Sequence, residues 1–233
     1  MIRGLSPVYA FRKNASMIDF PGKLAAVFFV SGCNFRCGFC HNAELVEQRS
    51  ERLSWQRLRQ VCARFRNDWV DAAVVTGGEP TLAPELPGLF DLLREYGFAL
   101  KLDTNGSNPQ RLSSLLPGLE YVAMDVKCAP DTYARLTGFD RADLIRESIS
   151  LIRSHARDYE FRTTVITPVH TDEEMRGVGE MIRGASRFVL QPFVPQKNLP
   201  DAALRTIART TPARMRALKI VMAPFADQVI CRE

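Results

Sequence analysis

AAVFFVSGCNFRCGFC, residues 25–40, runs six apolar residues straight into a loop that holds three cysteines, Cys33, Cys37 and Cys40. The apolar run has the length of a strand, is rich in Val and Phe and stops at Ser-Gly. It therefore reads as a buried strand with the cysteine loop at its C-terminal end. Strands buried on both faces belong to parallel sheets covered by helices.

The rest of the chain repeats that alternation. Ser54 precedes a helical pattern with Leu58, Val61, Cys62 and Phe65 at i, i+3, i+4 and i+7. Residues 72–76 form the next strand, followed by a Gly-Gly turn and a helix that aligns Leu86, Leu89, Phe90 and Leu93. Residues 98–104, 120–127, 159–166 and 187–193 continue the series, making six strands, and Thr171 with Glu174 marks a capping box before the last of them. The pattern predicts an α/β fold of βαβ units around a mainly parallel sheet. Only the Pro-containing stretch 192–200 reads as a long irregular loop.

Bulk properties narrow the setting. A chain of 233 residues, 46% hydrophobic and 24% charged, suits one globular domain. Residues 1–15 carry Arg3, Arg12 and Lys13 without a continuous apolar segment, and no run of 18 apolar residues occurs. A cytoplasmic protein with no membrane contact is expected. In a reducing compartment a tight cysteine cluster points to metal binding or catalysis and away from disulfides. The net charge of +5 is scattered over the chain, so no nucleic-acid partner is expected.

Chemically able residues recur at the C-terminal ends of the strands. The cysteines follow the first, Gly77-Gly78-Glu79-Pro80 the second, Asp103-Thr104-Asn105-Gly106 the third, and Asp125 and Lys127 the fourth; Arg162 lies in the fifth and Gln191 at the sixth. In a parallel barrel these ends share one rim, where such folds build their sites. The spacing C-x3-C-x2-C lacks a fourth cysteine. Structural zinc usually takes four ligands, so zinc would have to recruit His41 or a distant cysteine. Iron–sulfur cubes are commonly held by four thiolates, and three leave one iron without a protein ligand.

Cys33, Cys37, Phe39 and Cys40, a C-x3-C-x-aromatic-C motif after a first strand, resemble the signature of radical S-adenosylmethionine (SAM) enzymes. The resemblance implies an open, partial TIM-type (β/α)6 barrel. It implies one [4Fe-4S] cluster held by Cys33, Cys37 and Cys40, with SAM bound at the open iron. It also implies that Gly77, Gly78 and Glu79 hold the methionine amino group and that Phe39 lies beside the adenine. Residues 1–233 would form a single radical SAM core domain, with 16–193 as its core and 194–233 as a C-terminal extension.

Taken in order, DFPGKLAAVFFVSGCNFRCGFCHN, GGEPTL, LDTNG, AMDVK and FRTTV resemble glycyl radical enzyme activating proteins, most closely those of anaerobic ribonucleoside-triphosphate reductase. Such oxidoreductases take a hydrogen from one glycine of a partner enzyme and draw an electron from a flavodoxin- or ferredoxin-type donor. Carried over from related activases, Asp103, Thr104 and Asp125 would bind a monovalent cation, Lys127 would sit near SAM, and Asn42 would contact SAM or the substrate loop. Two carboxylates facing one rim repel, and a cation or Lys127 would relieve that. The run Gln191-Pro192-Phe193-Val194 departs from the formate-lyase activases, which carry a histidine there. A second reading is a radical SAM enzyme acting on a small molecule, peptide or nucleic acid, such as a 7-carboxy-7-deazaguanine synthase. A third is a non-enzymatic metal- or nucleic-acid-binding protein.

Plainer readings stand beside several of these. Asp125 and Lys127 could be a rim ion pair, Arg162 a solvated strand residue and His41 a loop residue bonded to backbone. His155 and His170 read as ordinary surface residues. Cys62, Cys128 and Cys231 read as core or surface cysteines. Residues from 201 on either complete the barrel or dock the partner.

Overall fold

The structure, a computed structural model, describes residues 4–47 and 51–232; Arg3, named above, lies outside them. Among the described residues eight strands form one sheet in chain order. The strands are β1 (Val8–Phe11), β2 (Ala25–Val30), β3 (Ala72–Gly77), β4 (Ala99–Thr104), β5 (Tyr121–Asp125), β6 (Tyr159–Val165), β7 (Ala185–Pro192) and β8 (Ala226–Cys231). β1 is antiparallel to β2, and every later pairing is parallel, which makes an open, partial barrel. The connecting helices are α1 (Trp55–Asn67), α2 (Leu86–Glu95), α3 (Pro109–Leu115), α4 (Tyr133–Thr137), α5 (Ala142–His155), α6 (Asp172–Ile182) and α7 (Pro212–Met222).

Alternation along the strands splits the interior in two. Outward residues such as Ala26, Phe28 and Val30 join Leu58, Val61, Cys62 and Phe65 of α1 in the large core under the helices. Full burial of a Val, Leu or Phe side chain contributes about 1.5–3 kcal/mol. Inward residues Ala25, Val27, Ala72, Val74 and Ala123 form a second cluster in the lumen, with Phe20 and Tyr121. Farther round the sheet the lumen turns charged, with Lys101 and Asp103 on β4, Asp125 on β5, and Glu160 and Arg162 on β6.

All six expected strands are present, and two more flank them. β1 has four residues behind Pro7, too few for a period to show. β8 reads ADQVIC, with exposed polar residues at the open edge of the sheet, so it carries no apolar run. With α7, residues beyond 201 add one more strand and helix to the barrel.

Caps decide where the helices begin. Ser54 accepts from Arg57 N at 3.1 Å and starts α1. Thr171 accepts from Glu174 N at 3.1 Å, but the expected box at α6 is only half formed. The Glu174 carboxylate turns away to accept from Ala129 N (2.6 Å) and Thr132 Oγ1 (2.9 Å), tying α6 to the loop after β5.

His170 corrects the expectation of a surface residue: it is fully buried. Its Nδ1 accepts from Ile166 N at 2.9 Å, and its Nε2 donates to Lys127 O at 2.8 Å, which fixes a neutral ring. The ring therefore pins the strand end that carries Lys127. His155 is exposed, as expected. Among the described residues no helix is long and apolar enough to cross a membrane.

Burial pushes the His170 pKa below its ordinary value, against the pull of the Lys127 and Ile166 carbonyls. The unfolded chain then takes up a proton that the folded chain refuses, so stability falls as pH drops below about 6.5. The depressed carboxylates Asp103 and Asp125 act in the same direction only below about pH 4. His170→Phe should flatten the slope between about pH 6.5 and 5 and cost about 1–3 kcal/mol, read from urea midpoints across that range.

Candidate functional site

The cysteine loop begins where β2 ends and is held on every side. Gly32 N donates to Leu45 O (2.8 Å) and Cys33 N to Val46 O (2.9 Å). Arg36 N donates to Thr137 O at 2.6 Å, and the Arg36 guanidinium reaches back to Cys33 O at 2.7 Å. Phe35 packs on Phe139 and Tyr133 with ring centroids 4.9 and 6.3 Å apart. His41 donates through Nε2 to Val194 O (2.9 Å) and stacks on Phe193, so it is a loop residue bonded to backbone. Asp201 N closes the far side on Gly38 O at 3.0 Å.

The end of β3 fits against this loop only because it is glycine. Gly77 has φ +124°, and a Cβ there would overlap the backbone of Val30. A Cβ on Gly78 would overlap Gly32 O, while Gly78 N donates to Val30 O at 2.8 Å and Glu79 N to Gly32 O at 2.7 Å. Glu79, expected beside the SAM amino group, is not in the cavity wall. It is fully buried behind the rim. One carboxylate oxygen accepts from Thr81 N (3.1 Å), Thr81 Oγ1 (2.6 Å) and Thr104 Oγ1 (2.7 Å), and the other from Asn105 N (2.6 Å). Burial raises its pKa, and those four bonds oppose the rise. Glu79 thus ties the ends of β3 and β4 together.

A cavity of about 280 Å³ opens at the C-terminal ends of the strands. Its wall contains Cys33, Cys37, Phe39, Cys40, Asn42, Gly77, Gly78, Asp103, Thr104, Asp125 and Lys127, every expected site residue except Glu79. Asn105, Thr164, Arg162 and Gln191 line it too. Asn105, which the sequence offers only as part of the DTNG stretch with no role of its own, reaches the cysteine loop. Its side-chain amide lies 3.8 Å from Cys33 Sγ and 3.1 Å from Asn34 Oδ1, and Phe35 N donates to the same sulfur at 3.4 Å.

Burial raises the Cys33 and Cys37 thiols, Cys37 to about 12, with Lys127 pulling both down. In the metal-free chain they stay protonated, so a bound metal must displace the protons. Among the described residues no three His, Cys, Asp or Glu side chains gather closely enough for a single ion. A cluster spreads its thiolates over separate irons and does not ask for that. Three thiols on one loop, facing a cavity, with amide donors on Cys33, fit a cubane with one open iron. Cys62 and Cys128 are fully buried in the core.

The floor of the cavity is charged. Arg162 is buried, not solvated: its Nε donates to Asp125 Oδ1 at 2.8 Å and its NH1 approaches Asp103 Oδ2 at 3.3 Å. Lys127 Nζ lies 2.8 Å from Asp125 Oδ2 and 5.8 Å from the centre of the Phe39 ring. Lys101 Nζ caps Asp103 Oδ1 at 2.6 Å. Burial alone would raise both carboxyls, but Arg162 with Lys101 or Lys127 outweighs it and holds them below the ordinary range. Asp103, Thr104 and Asp125 do not fit as open ligands for a monovalent cation, because each is already engaged by the protein.

A strand-borne three-cysteine loop over the rim of an open parallel barrel places the chain among α/β barrels whose rim site can take an iron–sulfur cluster. The Radical SAM superfamily profile matches residues 27–182, and the chain belongs to that family, which uses a [4Fe-4S] cluster and SAM. A Methanocaldococcus jannaschii protein provisionally described as a glycyl-radical enzyme activating enzyme is 29% identical over 227 residues, 93% of this chain and 92% of its own. The pyruvate formate-lyase-activating enzyme of Streptococcus mutans is 28% identical over 195 residues, 76% of this chain and 73% of its own. Among solved structures, Streptococcus suis SuiB bound to precursor peptide SuiA superposes with TM-score 0.67 at 15% identity. That match covers 92% of this chain, which spans about half the length of SuiB, and it speaks for the fold alone.

Gly78→Ala should drive the cysteine loop off β3. Overpacking of this kind costs about 1–3 kcal/mol, and iron content per chain and the visible absorbance after anaerobic reconstitution should fall together.

Proposed function

We propose that this chain is a glycyl radical enzyme activase, acting in the cytoplasm on anaerobic ribonucleoside-triphosphate reductase. The observation that carries the reading is the three-cysteine loop facing an open cavity, in a chain similar along 93% of its length to a protein described as a glycyl-radical activator. In this reading Cys33, Cys37 and Cys40 hold one cluster. The cluster, with SAM bound and an electron from a flavodoxin- or ferredoxin-type donor, would supply reductive cleavage of the sulfonium and so the means to take a hydrogen atom from a partner glycine.

The chain's own residues then bind and orient. Glycine at 77 and 78 lets the backbone at the end of β3 come close to the amino group of an amino-acid ligand. Lys127, held over Phe39 by Asp125 and by the carbonyl bond from His170, offers its ammonium to a carboxylate. Phe39 supplies an apolar face for adenine, and Asn42 reaches SAM or the substrate loop at the rim. Amide donors on Cys33 adjust the potential of a bound cluster. An open barrel with a short outer rim leaves room for a loop of another protein.

The test is anaerobic. The reconstituted chain with reductant, SAM and the reductase should give 5′-deoxyadenosine and a glycyl doublet in electron paramagnetic resonance. Cys37→Ala should abolish both signals, whereas Cys62→Ala should leave both in place. 5′-Deoxyadenosine without a doublet would mean that the reductase is the wrong partner.

A further inference from the structure

We infer that the protein supplies its own cations to Asp103 and Asp125: Arg162 bridges the two carboxylates and Lys101 takes the remaining oxygen of Asp103, in place of the monovalent metal ion that the family resemblance would put there. All four oxygens of the two carboxylates are paired with a cationic nitrogen. Asp103 Oδ1 takes Lys101 Nζ (2.6 Å) and Oδ2 takes Arg162 NH1 (3.3 Å). Asp125 Oδ1 takes Arg162 Nε (2.8 Å) and Oδ2 takes Lys127 Nζ (2.8 Å). The third expected ligand is engaged as well, since Thr104 Oγ1 donates to Glu79 at 2.7 Å and accepts from Gly106 N at 3.1 Å.

Lys101 is the unusual member of this set. It lies in the middle of β4, faces the lumen and is 1% exposed, with the Tyr121 ring 5.8 Å away. A buried ammonium is costly unless paired, and Asp103 is the partner that holds it there. The local charges are −2 from Asp103 and Asp125 and +3 from Lys101, Lys127 and Arg162, a sum of +1. Glu160 lies 4.0 Å from Arg162 but is matched by Arg232 at 2.8 Å. One ligand carboxylate brings the group to zero, whereas an added metal cation would sit among three like charges in a poorly screened site. The covalently attached cation also arrives already ordered, so ligand binding does not depend on the salt present.

This inference concerns the cavity floor and stands whether or not the partner is a glycyl radical enzyme. The anaerobically reconstituted protein is melted at constant ionic strength in potassium, sodium or tetramethylammonium chloride. The wild type should melt at one temperature in all three. Lys101→Met, which keeps the length and loses the charge, should gain a saturable, potassium- or sodium-selective rise of about 2–4 °C. Lys101→Gln serves if the methionine variant does not fold, and Lys101→Arg should stay indifferent to the salt. A saturable metal-selective rise in the wild type overturns the inference, and so does a folded Lys101→Met or Lys101→Gln protein with no cation response. If neither variant folds, the wild-type comparison decides alone.

Discussion

The site depends on a backbone contact too close for any side chain, where the end of β3 lies against the end of β2. Gly77 and Gly78 allow it, and the Gly78 and Glu79 amides bond across to Val30 and Gly32, at the base of the cysteine loop. Glu79 extends the same tie to β4 by accepting from Thr104 and Asn105. Asn105 in turn reaches Cys33 and Asn34. Three neighbouring strand ends and the loop that carries the thiols thus form one hydrogen-bonded unit. A buried carboxylate can serve there because each of its oxygens has donors, which offset what burial costs a charge.

Across the rim the problem is electrostatic. Asp125 and Arg162 face one another in register on β5 and β6, and Asp103 is opposite Ala123 on β5. Alanine at 123 leaves open lumen between the two carboxylates, and the guanidinium fills it. Arg162 then acts as a fork with one arm on each aspartate, a task suited to its planar, permanently charged group. Lys101 and Lys127 cap the outer oxygens. The arrangement leaves a cationic floor under a loop of thiols.

Helices on the far side steady that floor. His170, just before α6, and Glu174, in its first turn, bond to the backbone of Lys127 and Ala129. Arg214 of α7 donates to His170 O and pairs with Asp172. The C-terminal strand and helix therefore reach the cavity without lining it. This link was hidden in the sequence because Thr171 and Glu174 match a capping box, and the carboxylate has a better buried partner than its own helix end.

The order and type of the main elements came from local chemistry: apolar runs of strand length, helical spacing at Leu58–Phe65 and Leu86–Leu93, and capping residues. The three cysteines and most of the cavity wall followed from sitting at strand ends, because a parallel sheet sends all those ends to one rim. β1 and β8 escaped notice, one being too short and the other too polar to give a period. What only the tertiary structure decided is which charges meet. Sequence places Lys101, Asp103, Asp125 and Arg162 on strands, but strand register and the small residue between them choose the partners. That choice put Glu79 behind the wall, Arg162 between two carboxylates and His170 in the core. Pairing and burial are set by distances across strands, which no local pattern encodes.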